Sequence, residues 1–265
     1  MAPLPPAIFQ FAAMNDHAID ISEEAGVRYL HFGSDWIQGA MRVARPWSLE
    51  LQYTREMMAG LLFRPDASWL RRVLLVGLGA GSLAKFIYRH CPAARITAVE
   101  INPQVEWIAR QYFKLPDDPR RLSVIVEDAA DYVLRGKRHF DAILVDGFDP
   151  EGRAGALDTL PFYQACRSSL ADGGLLAVNL LGRDRGFKAS VERIKEAFAS
   201  RALAFPSCDS GNAIVFATDG PPLAVSIEEM RQRATTLKAA TGLNLLPTVG
   251  RLQLTQALPA GILRL

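Results

Sequence analysis

The sequence predicts an α/β fold built on a doubly wound, mostly parallel β-sheet with helices on both faces. From about residue 73 to residue 180, short apolar runs alternate with segments of helical length, the pattern of parallel strands joined by crossover helices. The first apolar run leads directly into three alternate glycines, Gly77, Gly79 and Gly81. Such glycines are typical of a tight turn from a buried strand into a helix. Residues 213–217 form a last apolar run, for which we expect one or two antiparallel strands at the C-terminal edge.

A small antiparallel β meander is expected before this sheet. Between residues 18 and 44, apolar and polar residues alternate and are interrupted by glycine and aspartate, which is typical of short strands joined by turns. The next segment, 53–63, carries Met57, Met58, Leu61 and Leu62 at helical spacing. We expect it to form a helix packed beneath the first core strand.

The remaining elements follow in order along the chain. Strands are expected at 73–76, 96–99, 122–126, 141–145 and 175–180, and helices at 82–90, 105–113, 130–134, 160–170 and 188–199. After Pro221 and Pro222, residues 227–240 predict one amphipathic helix that covers the sheet or an oligomer contact. Three segments are therefore expected: 1–65 with the meander and a helix, 66–220 with the doubly wound sheet, and 221–265 as a helical extension.

Composition argues against several classes of partner. The chain has 265 residues, 49% of them hydrophobic, and its 30 basic and 28 acidic residues leave a formal charge of +2. Since no long block carries one sign, neither nucleic acid nor a membrane surface is expected as a partner. Cys91, Cys166 and Cys208 lie far apart, and the four histidines are dispersed. We therefore expect no disulfide framework, no metal site and a cytoplasmic location.

The glycine loop predicts a nucleotide-like ligand. Glycines let the backbone turn tightly and approach a ligand closely before it enters the N-terminus of a helix. The next apolar run, 96–99, ends in Glu100, at about the distance where an acidic residue meets ribose hydroxyls in nucleotide-binding βαβ units. The alternatives are that the loop is only a tight connection and that Glu100 is a solvated carboxylate at a strand end.

Polar side chains follow successive strands of the predicted sheet. Ligands of open parallel sheets bind outside the carboxyl ends of the strands, so these side chains can face one crevice: Glu100, Asp128, Asp146, Asp149 and Asn179. Asp128 can accept from the exocyclic amine of a base, with the backbone of Ala129 at the base edge, or it can cap the following helix. Asp146 follows the most apolar strand and can act as a base, hold a cation or form an Asx turn.

These residues resemble the spermidine synthase (polyamine aminopropyltransferase) family, within the larger group of S-adenosylmethionine-dependent, methyltransferase-like folds. The resemblance runs from about residue 20 to residue 217. Its most specific part is Val-Asp-Gly-Phe-Asp-Pro at 145–150 with Phe-Tyr at 162–163, similar to the family's Asp-Ser-Ser-Asp-Pro loop and downstream aromatic pair. Residues 35–38 are similar to its Asp-Gly-x-x-Gln hairpin. The resemblance implies that 66–220 is a Rossmann-like, methyltransferase-type catalytic domain.

The resemblance also implies a reaction, the transfer of an alkyl group, first of all aminopropyl, from an adenosyl sulfonium to a small-molecule amine. It implies that Asp146 deprotonates the amine, that Asp149 and Tyr53 bind it, and that Gln38 lines the shared pocket. The residues implied to bind the donor are Gly77, Gly79, Ala80, Gly81, Glu100, Ile101, Asp128 and Ala129. Because the leaving group is a neutral thioether, the protein has to supply orientation and a neutral amine.

Three positions depart from the family pattern. Ala80 stands where aminopropyltransferases carry an aspartate for the ammonium of the decarboxylated donor, and Thr54 stands where a glutamine follows the tyrosine. The segment 205–211 lacks an expected tyrosine, although Asp209 lies within it. Since an aspartate at position 80 would repel the carboxylate of S-adenosylmethionine, two donors stay open: decarboxylated S-adenosylmethionine and S-adenosylmethionine itself.

Other interpretations of the sequence remain. Ala80 and the Gly-x-Gly-x-Gly loop favour an S-adenosylmethionine-dependent small-molecule methyltransferase, and a nucleoside-binding homologue without turnover is a third hypothesis. An NAD-dependent oxidoreductase fits less well, because Ser82 occupies the place of the last glycine or alanine of the dinucleotide pattern. The family resemblance also implies a homodimer.

Overall fold

The computed structural model describes residues 9–11, 19–33, 36–136, 139–148, 153–182, 185–208, 211–255 and 258–265. Strands within these residues form a four-stranded, a seven-stranded and a two-stranded sheet. The seven-stranded sheet is mostly parallel and lies at the centre of the molecule. The predicted α/β class is therefore confirmed.

The central sheet has the strand order β10-β11-β9-β8-β5-β6-β7. Its strands are β5 (Arg72–Val76), β6 (Arg95–Glu100), β7 (Leu122–Val126), β8 (Phe140–Val145), β9 (Leu170–Leu181), β10 (Ala202–Ala204) and β11 (Asn212–Thr218). β5 to β9 are parallel, whereas β11 and β10 pair antiparallel at the edge beside β9, as predicted. The order reverses between β5 and β8, the place where open α/β sheets bind their ligands.

Helices cover both faces of this sheet. They are α2 (Ser82–His90), α3 (Pro103–Phe113), α4 (Ala129–Arg135), α5 (Leu160–Ser169) and α6 (Phe187–Ala197). Strand β5 is buried on both sides: Val73 and Leu75 belong to the core that includes α2 and α3, and Leu74 and Val76 to the core that includes α4, α5 and α6. Because both faces of β5 are buried, apolar residues occupy the strand without alternating with polar ones.

The N-terminal sheet consists of β1 (Phe9–Phe11), β2 (Ile19–Glu24), β3 (Val27–Phe32) and β4 (Ile37–Arg42), all antiparallel. The meander between residues 18 and 44 is confirmed, and β1 was not predicted. Two contacts seat this sheet on the central domain: Ser82 Oγ donates to the carbonyl of Ala40 (3.1 Å), and Arg28 Nη1 donates to the carbonyl of Tyr112 (2.6 Å). The sheet thus lies against the start of α2 and the end of α3.

The segment after the meander forms α1 (Gln52–Met57), followed by a 3₁₀ turn at Met58–Leu62. Its main contacts are with β9 and β11, so the expectation that it packs beneath β5 is wrong. At Gly60, in the 3₁₀ turn, a Cβ atom would lie 2.4 Å from Leu175 Cδ2, so the turn also packs closely on β9. Period-3.6 spacing identifies an apolar face but not the strand that covers it.

The C-terminal extension contains β12 (Ala224–Ser226), α7 (Ile227–Thr241), α8 (Leu246–Leu254), a 3₁₀ turn (Pro259–Gly261) and β13 (Ile262–Arg264). The sequence predicted α7 but neither α8 nor the β12–β13 pair. Ser226 and Glu229 form a capping box at the start of α7, the usual signature of a helix N-terminus. Met230, Val249 and Leu252 are fully buried in the core shared with the central sheet. Across the described ranges, every helix is too short or too polar to cross a membrane.

Candidate active site

A cavity of about 610 Å³ opens at the carboxyl ends of the central strands, within the size range of small-molecule sites. Of the predicted site residues in the described ranges, all but Gly81 line it. The charged side chains that the structure shows lining it are Glu100, Asp128, Asp146 and Arg153. With three carboxyl groups and one guanidinium, this lining suits a cationic ligand.

The glycine loop forms one wall of the cavity. Gly77 has φ +91°, and a Cβ atom there would lie 2.3 Å from the carbonyl oxygen of Asp146. Gly81 has φ +66° and precedes α2, and its Cβ atom would lie 2.7 Å from Leu115 Cδ1. Gly77 therefore lets two strand ends approach each other, whereas Gly81 lets α2 begin against the core.

Glu100 is the last residue of β6 and is 8% exposed. Its Oε2 accepts from the amide of Leu78 (3.0 Å) and its Oε1 from the amide of Asn102 (3.0 Å). Burial raises the pKa of this carboxyl, while the backbone donors, Gly79 and Ile101 among them, act in the opposite direction. Glu100 thus ties the glycine loop to the end of β6 and does not lie in solvent as the alternative interpretation held.

Asp128 is the N-cap of α4. Its Oδ1 accepts from the amides of Ala130 (2.7 Å) and Asp131 (3.3 Å), so the capping interpretation holds. Asp128 also lines the cavity together with Ala129 and Ile101, and Ile101 is 69% exposed. The cap fixes the carboxyl at the rim, where the resemblance places the adenine.

Asp146 lies directly after β8 and forms the centre of a side-chain network. Its Oδ1 accepts from Asn179 Nδ2 (2.8 Å), and the Asn179 side-chain carbonyl accepts from Asn212 Nδ2 (3.0 Å). The hydroxyl of Tyr53, on α1, also lies near the Asp146 carboxyl and interacts with it. Side chains from α1 and β9 thus meet the carboxyl that follows β8, and β11 supports it indirectly through Asn179.

The surroundings of Asp146 shift two pKa values. Burial raises the pKa of Asp146 to about 6, although the hydrogen bonds from Asn179 and Tyr53 act to lower it. Burial also raises the pKa of Tyr53 well above its usual range, and the neighbouring Asp146 carboxylate adds to this. At neutral pH the pair is therefore an ionised carboxylate with a neutral phenol donating to it.

Strand β4 closes the cavity from the N-terminal side. Ala80 is 2% exposed, and a Cβ atom on Gly39 would lie 2.6 Å from the Ala80 Cβ. A Cβ atom on Gly79 would lie 3.2 Å from the carbonyl oxygen of Gln38. The glycine loop and β4 are thus in direct backbone contact, which places Gln38 beside the loop.

The aromatic pair at 162–163 lies beneath the site and not in it. Phe162 and Tyr163 are fully buried in α5, and the Tyr163 hydroxyl donates to Asp158 Oδ1 (2.8 Å). Asp158 Oδ2 also accepts from Ser190 Oγ (2.7 Å) and pairs with Arg193. The Tyr163 hydroxyl therefore helps to anchor Asp158, which lies in the segment after β8.

Some predicted residues cannot be placed. Asp149, Asp35 and Asp209 lie outside the described residues, so their predicted positions are not tested. Within the described ranges, no group of three or more histidine, cysteine, aspartate or glutamate side chains is arranged to hold a metal ion.

Comparison with known proteins places this geometry in a family. The profile of the spermine/spermidine synthase domain matches residues 51–185. A polyamine aminopropyltransferase of Neisseria meningitidis serogroup A is 38% identical over 226 residues, which is 85% of this chain and 85% of the relative. The chain belongs to the spermine/spermidine synthase family. The prediction of a spermidine synthase-like transferase is confirmed.

Two solved structures extend the comparison. A probable spermidine synthase from Corynebacterium glutamicum superposes with a TM-score of 0.70 at 20% identity, over 91% of this chain and 96% of that one, a likeness of fold. Human methyltransferase-like protein 13 in complex with SAH gives a TM-score of 0.64 at 26% identity, over 73% of this chain and 93% of that one. This chain thus shares its architecture with a methyltransferase-like protein as well as with a probable spermidine synthase.

The sequence did not indicate the contributions of Asn212 and Asp158. Asn212 begins β11, and no motif surrounds it; only the pairing of β11 with β9 brings it to Asn179. Asp158 lies in a short 3₁₀ turn at Gly155–Asp158, and its three partners come from α5 and α6. Asn179 was recognised as a strand-end residue, but its bond to Asp146 was not foreseen.

Proposed function

We propose that the protein transfers an aminopropyl group from decarboxylated S-adenosylmethionine to a primary amine of a small diamine or polyamine. The observation that carries the proposal is the Asp146 carboxyl, which faces the cavity at the strand-order reversal with Asn179 and Tyr53 holding it. Family membership supports the transferase class. The acceptor amine, the decarboxylated donor and the roles of individual residues are parts of this proposal.

The reaction is a displacement at carbon. The lone pair of the amine forms a bond to the aminopropyl carbon attached to the sulfonium, the carbon–sulfur bond breaks, and its electron pair stays on sulfur. The products are the N-aminopropylated amine, 5′-methylthioadenosine and one proton. Because the leaving thioether is neutral, no acid has to assist its departure.

Asp146 supplies the base that this reaction needs. A free alkylamine has a pKa near ~10 and is almost fully protonated at neutral pH, so a base has to remove a proton before or during attack. With a pKa of about 6, Asp146 is ionised at pH 7 and can accept that proton. The donors Asn179 and Tyr53 fix the carboxylate in one orientation, which favours a reactive alignment.

The donor half of the site is formed by the glycine loop, Glu100 and Asp128. Glu100 lines the cavity, and the amides of Leu78 and Asn102 fix its two oxygens, so it is the residue proposed to accept from the ribose hydroxyls. Asp128 uses Oδ1 for the helix cap, which leaves Oδ2 for the amine of adenine. Ile101 and Ala129 offer apolar contact to the base.

Asp146 gives the acceptor half a carboxylate that faces the cavity. We propose that Tyr53, Gln38 and Asp149 bind the acceptor, with Asp149 providing a second carboxylate for a distal ammonium. A primary amine with a second cationic group is the class that such a lining attracts. The homodimer and the cytoplasmic location stay predictions.

Methyl transfer from S-adenosylmethionine is the second candidate function, and Ala80 favours it. No carboxylate at this position repels the donor's own carboxylate, and Ala80 is packed against Gly39. The likeness to human methyltransferase-like protein 13 in complex with SAH is consistent with the same donor. Methyl transfer would use the same donor half and the same Asp146.

Isothermal titration calorimetry on the purified protein discriminates the two candidates. We expect decarboxylated S-adenosylmethionine to bind at least about tenfold more tightly than S-adenosylmethionine, a difference of about 1.4 kcal/mol. A clear preference for S-adenosylmethionine would contradict aminopropyl transfer and support methyl transfer. Binding of neither donor would contradict both.

A further inference from the structure

The C-terminal extension packs directly on the segment that carries Tyr53. Met230 and Ala234 of α7 and Val249 and Leu252 of α8 are fully buried in the same core as Met57 of α1. A polar contact accompanies this packing, since Arg233 Nη1 donates to the carbonyl of Leu62 at the end of the 3₁₀ turn (3.0 Å). The extension is therefore part of the environment of the site although it does not line the cavity.

One contact between the two segments is a buried ion pair. Glu56 lies on α1 with its side chain 1% exposed, and its Oε1 pairs with Arg251 Nη2 on α8. Thr248 Oγ1, one turn earlier on α8, also approaches Glu56 Oε1 (3.5 Å). A carboxylate removed from water to this degree requires a partner, and α8 provides it.

The pair is poorly optimised as a stabilising element. Glu56 Oε2 and Arg251 Nε are both buried, and neither has a hydrogen-bond partner among the described residues. Buried ion pairs with unsatisfied atoms contribute little net stability, and an apolar pair of similar volume often serves as well. The arrangement is therefore better explained by the orientation it imposes than by the stability it adds.

The orientation in question is that of α1. This helix has only six residues, Gln52–Met57, and so short a helix is not stable without tertiary contacts. Glu56 follows Tyr53 by three residues, so fixing Glu56 fixes the turn from which the Tyr53 hydroxyl reaches Asp146. Leu51, the N-cap of α1, makes no side-chain cap, which increases the reliance on contacts made later in the helix.

We propose that Glu56 and Arg251 are positioning residues, whose ion pair lets the C-terminal extension hold α1 so that Tyr53 faces Asp146 in the cavity. The geometry links α8 to the cavity through Glu56, one helical turn, and Tyr53. An effect of this ion pair on kcat rests on the proposed function of Asp146 as the base. The expected change in the Asp146 pKa does not depend on that function.

The test follows the titration of Asp146 in the full chain labelled with ¹³C at the aspartate carboxyls, with Asp146→Asn assigning its resonance. Tyr53→Phe removes the hydrogen bond and serves as the reference for the upward pKa change that its loss produces. The double variant Glu56→Gln with Arg251→Met removes both charges and keeps similar volume. We expect at least half of the upward change seen in Tyr53→Phe.

Arg233→Gln is the matched control, because it breaks a contact from the same extension to Leu62 and leaves the Glu56 pair intact. We expect no change in the Asp146 pKa in this variant. A folded double variant with the wild-type Asp146 pKa would overturn the proposal, and so would an equal change in Arg233→Gln. Should the double variant not fold, Glu56→Gln alone takes its place with the same expected direction, and an unchanged Asp146 pKa in it would overturn the proposal equally.

Discussion

The two halves of the cavity are built in different ways. In the donor half, carboxylates are held by backbone amides close to them in the chain or one strand away: Glu100 by Leu78 and Asn102, and Asp128 by Ala130. In the acceptor half, the described partners of the Asp146 carboxyl are side chains from distant segments, Asn179 and Tyr53. The donor half therefore follows from strand-to-helix turns, whereas the acceptor half depends on the tertiary assembly.

Burial acts on both halves of the cavity. It raises the pKa of Glu100 and that of Asp146, and in each case the hydrogen-bond donors act against the rise. For Asp146, the side-chain donors leave the pKa at about 6. A carboxyl with a raised pKa is a better base than one at its usual value, which suits the proposed task of Asp146.

Asp146→Asn is expected to give the largest effect. Loss of the base lowers kcat by about 10²- to 10⁴-fold, while the affinity for 5′-methylthioadenosine, measured by calorimetry, stays within about twofold because the donor half is untouched. Asp141→Asn is the control, since Asp141 lies at the opposite end of β8 and accepts from the amides of Arg71 and Arg72. Equal activity of Asp146→Asn and the wild type would remove Asp146 as the base.

Gly77→Ala is expected to damage the donor half through sterics. Gly26 has φ +73°, and a Cβ atom added there would have nothing within 4 Å, whereas at Gly77 that atom meets Asp146 at 2.3 Å. Gly26→Ala thus measures backbone strain alone, about 1–2 kcal/mol. We expect Gly77→Ala to lower the free energy of unfolding by at least twice as much in chemical denaturation and to abolish nucleoside binding. An equal loss of unfolding free energy in the two variants would show that the contact between Gly77 and the Asp146 carbonyl leaves room for a Cβ atom.

Glu100→Gln tests the charge on the donor side. Both oxygens of Glu100 accept from the backbone, and a hydrogen bond to a charged group contributes about 1.5–3 kcal/mol. We expect the affinity for 5′-methylthioadenosine to fall by about 10- to 100-fold, with kcat at saturating donor changed far less. A drop in kcat with intact affinity would place Glu100 in the chemistry instead.

The sequence predicted for a physical reason that Gly77, Glu100 and Asp128 lie at one cavity. Gly77, Glu100 and Asp128 each occupy the end of a strand, and apolar periodicity together with glycine locates strand ends. Asp146 was found in the same way. What the sequence could not predict is the pairing of distant segments: Asn212 reaches Asn179 only through the antiparallel register of β11 with β9.

The same distinction between local patterns and contacts of distant segments applies to the fold. The strands and helices of the central domain have clear hydrophobic periodicity and short connections, and the sequence predicted them and their order along the chain. Helix α8, the β12–β13 pair and the seat of α1 against β9 and β11 were missed. Each depends on contacts between segments far apart in the chain, which no local pattern encodes.

The pH dependence sharpens the comparison. We expect kcat/KM to rise with pH as Asp146 ionises, with an apparent pKa of about 6. Asn179→Leu removes one hydrogen-bond donor to the Asp146 carboxylate, so we expect the rise of kcat/KM to move to higher pH. Asn212→Leu removes the donor to Asn179, one hydrogen bond further away, and we expect a smaller move in the same direction. The pH profile of each variant measures this order. An unchanged limb in Asn179→Leu would contradict the account of the Asp146 pKa.

The smallest expected effect is on stability. The pKa of Asp146 is raised from 3.8 to about 6 on folding, so the folded state binds its proton more tightly and stability falls as pH rises through this window. The melting temperature of the wild type, compared with that of Asp146→Asn, should therefore decrease between pH 4 and pH 6 and level off above it. A constant difference across this range would show that burial does not raise this pKa.

One competition experiment tests the central claim most directly. The purified protein is incubated with equal concentrations of decarboxylated S-adenosylmethionine and S-adenosylmethionine and a panel of short diamines and polyamines, and all products are identified by mass spectrometry. Aminopropyl transfer predicts 5′-methylthioadenosine and an amine elongated by one aminopropyl group in equal amounts, both formed about 10²- to 10⁴-fold more slowly by Asp146→Asn. Formation of S-adenosylhomocysteine and a methylated amine instead would contradict it.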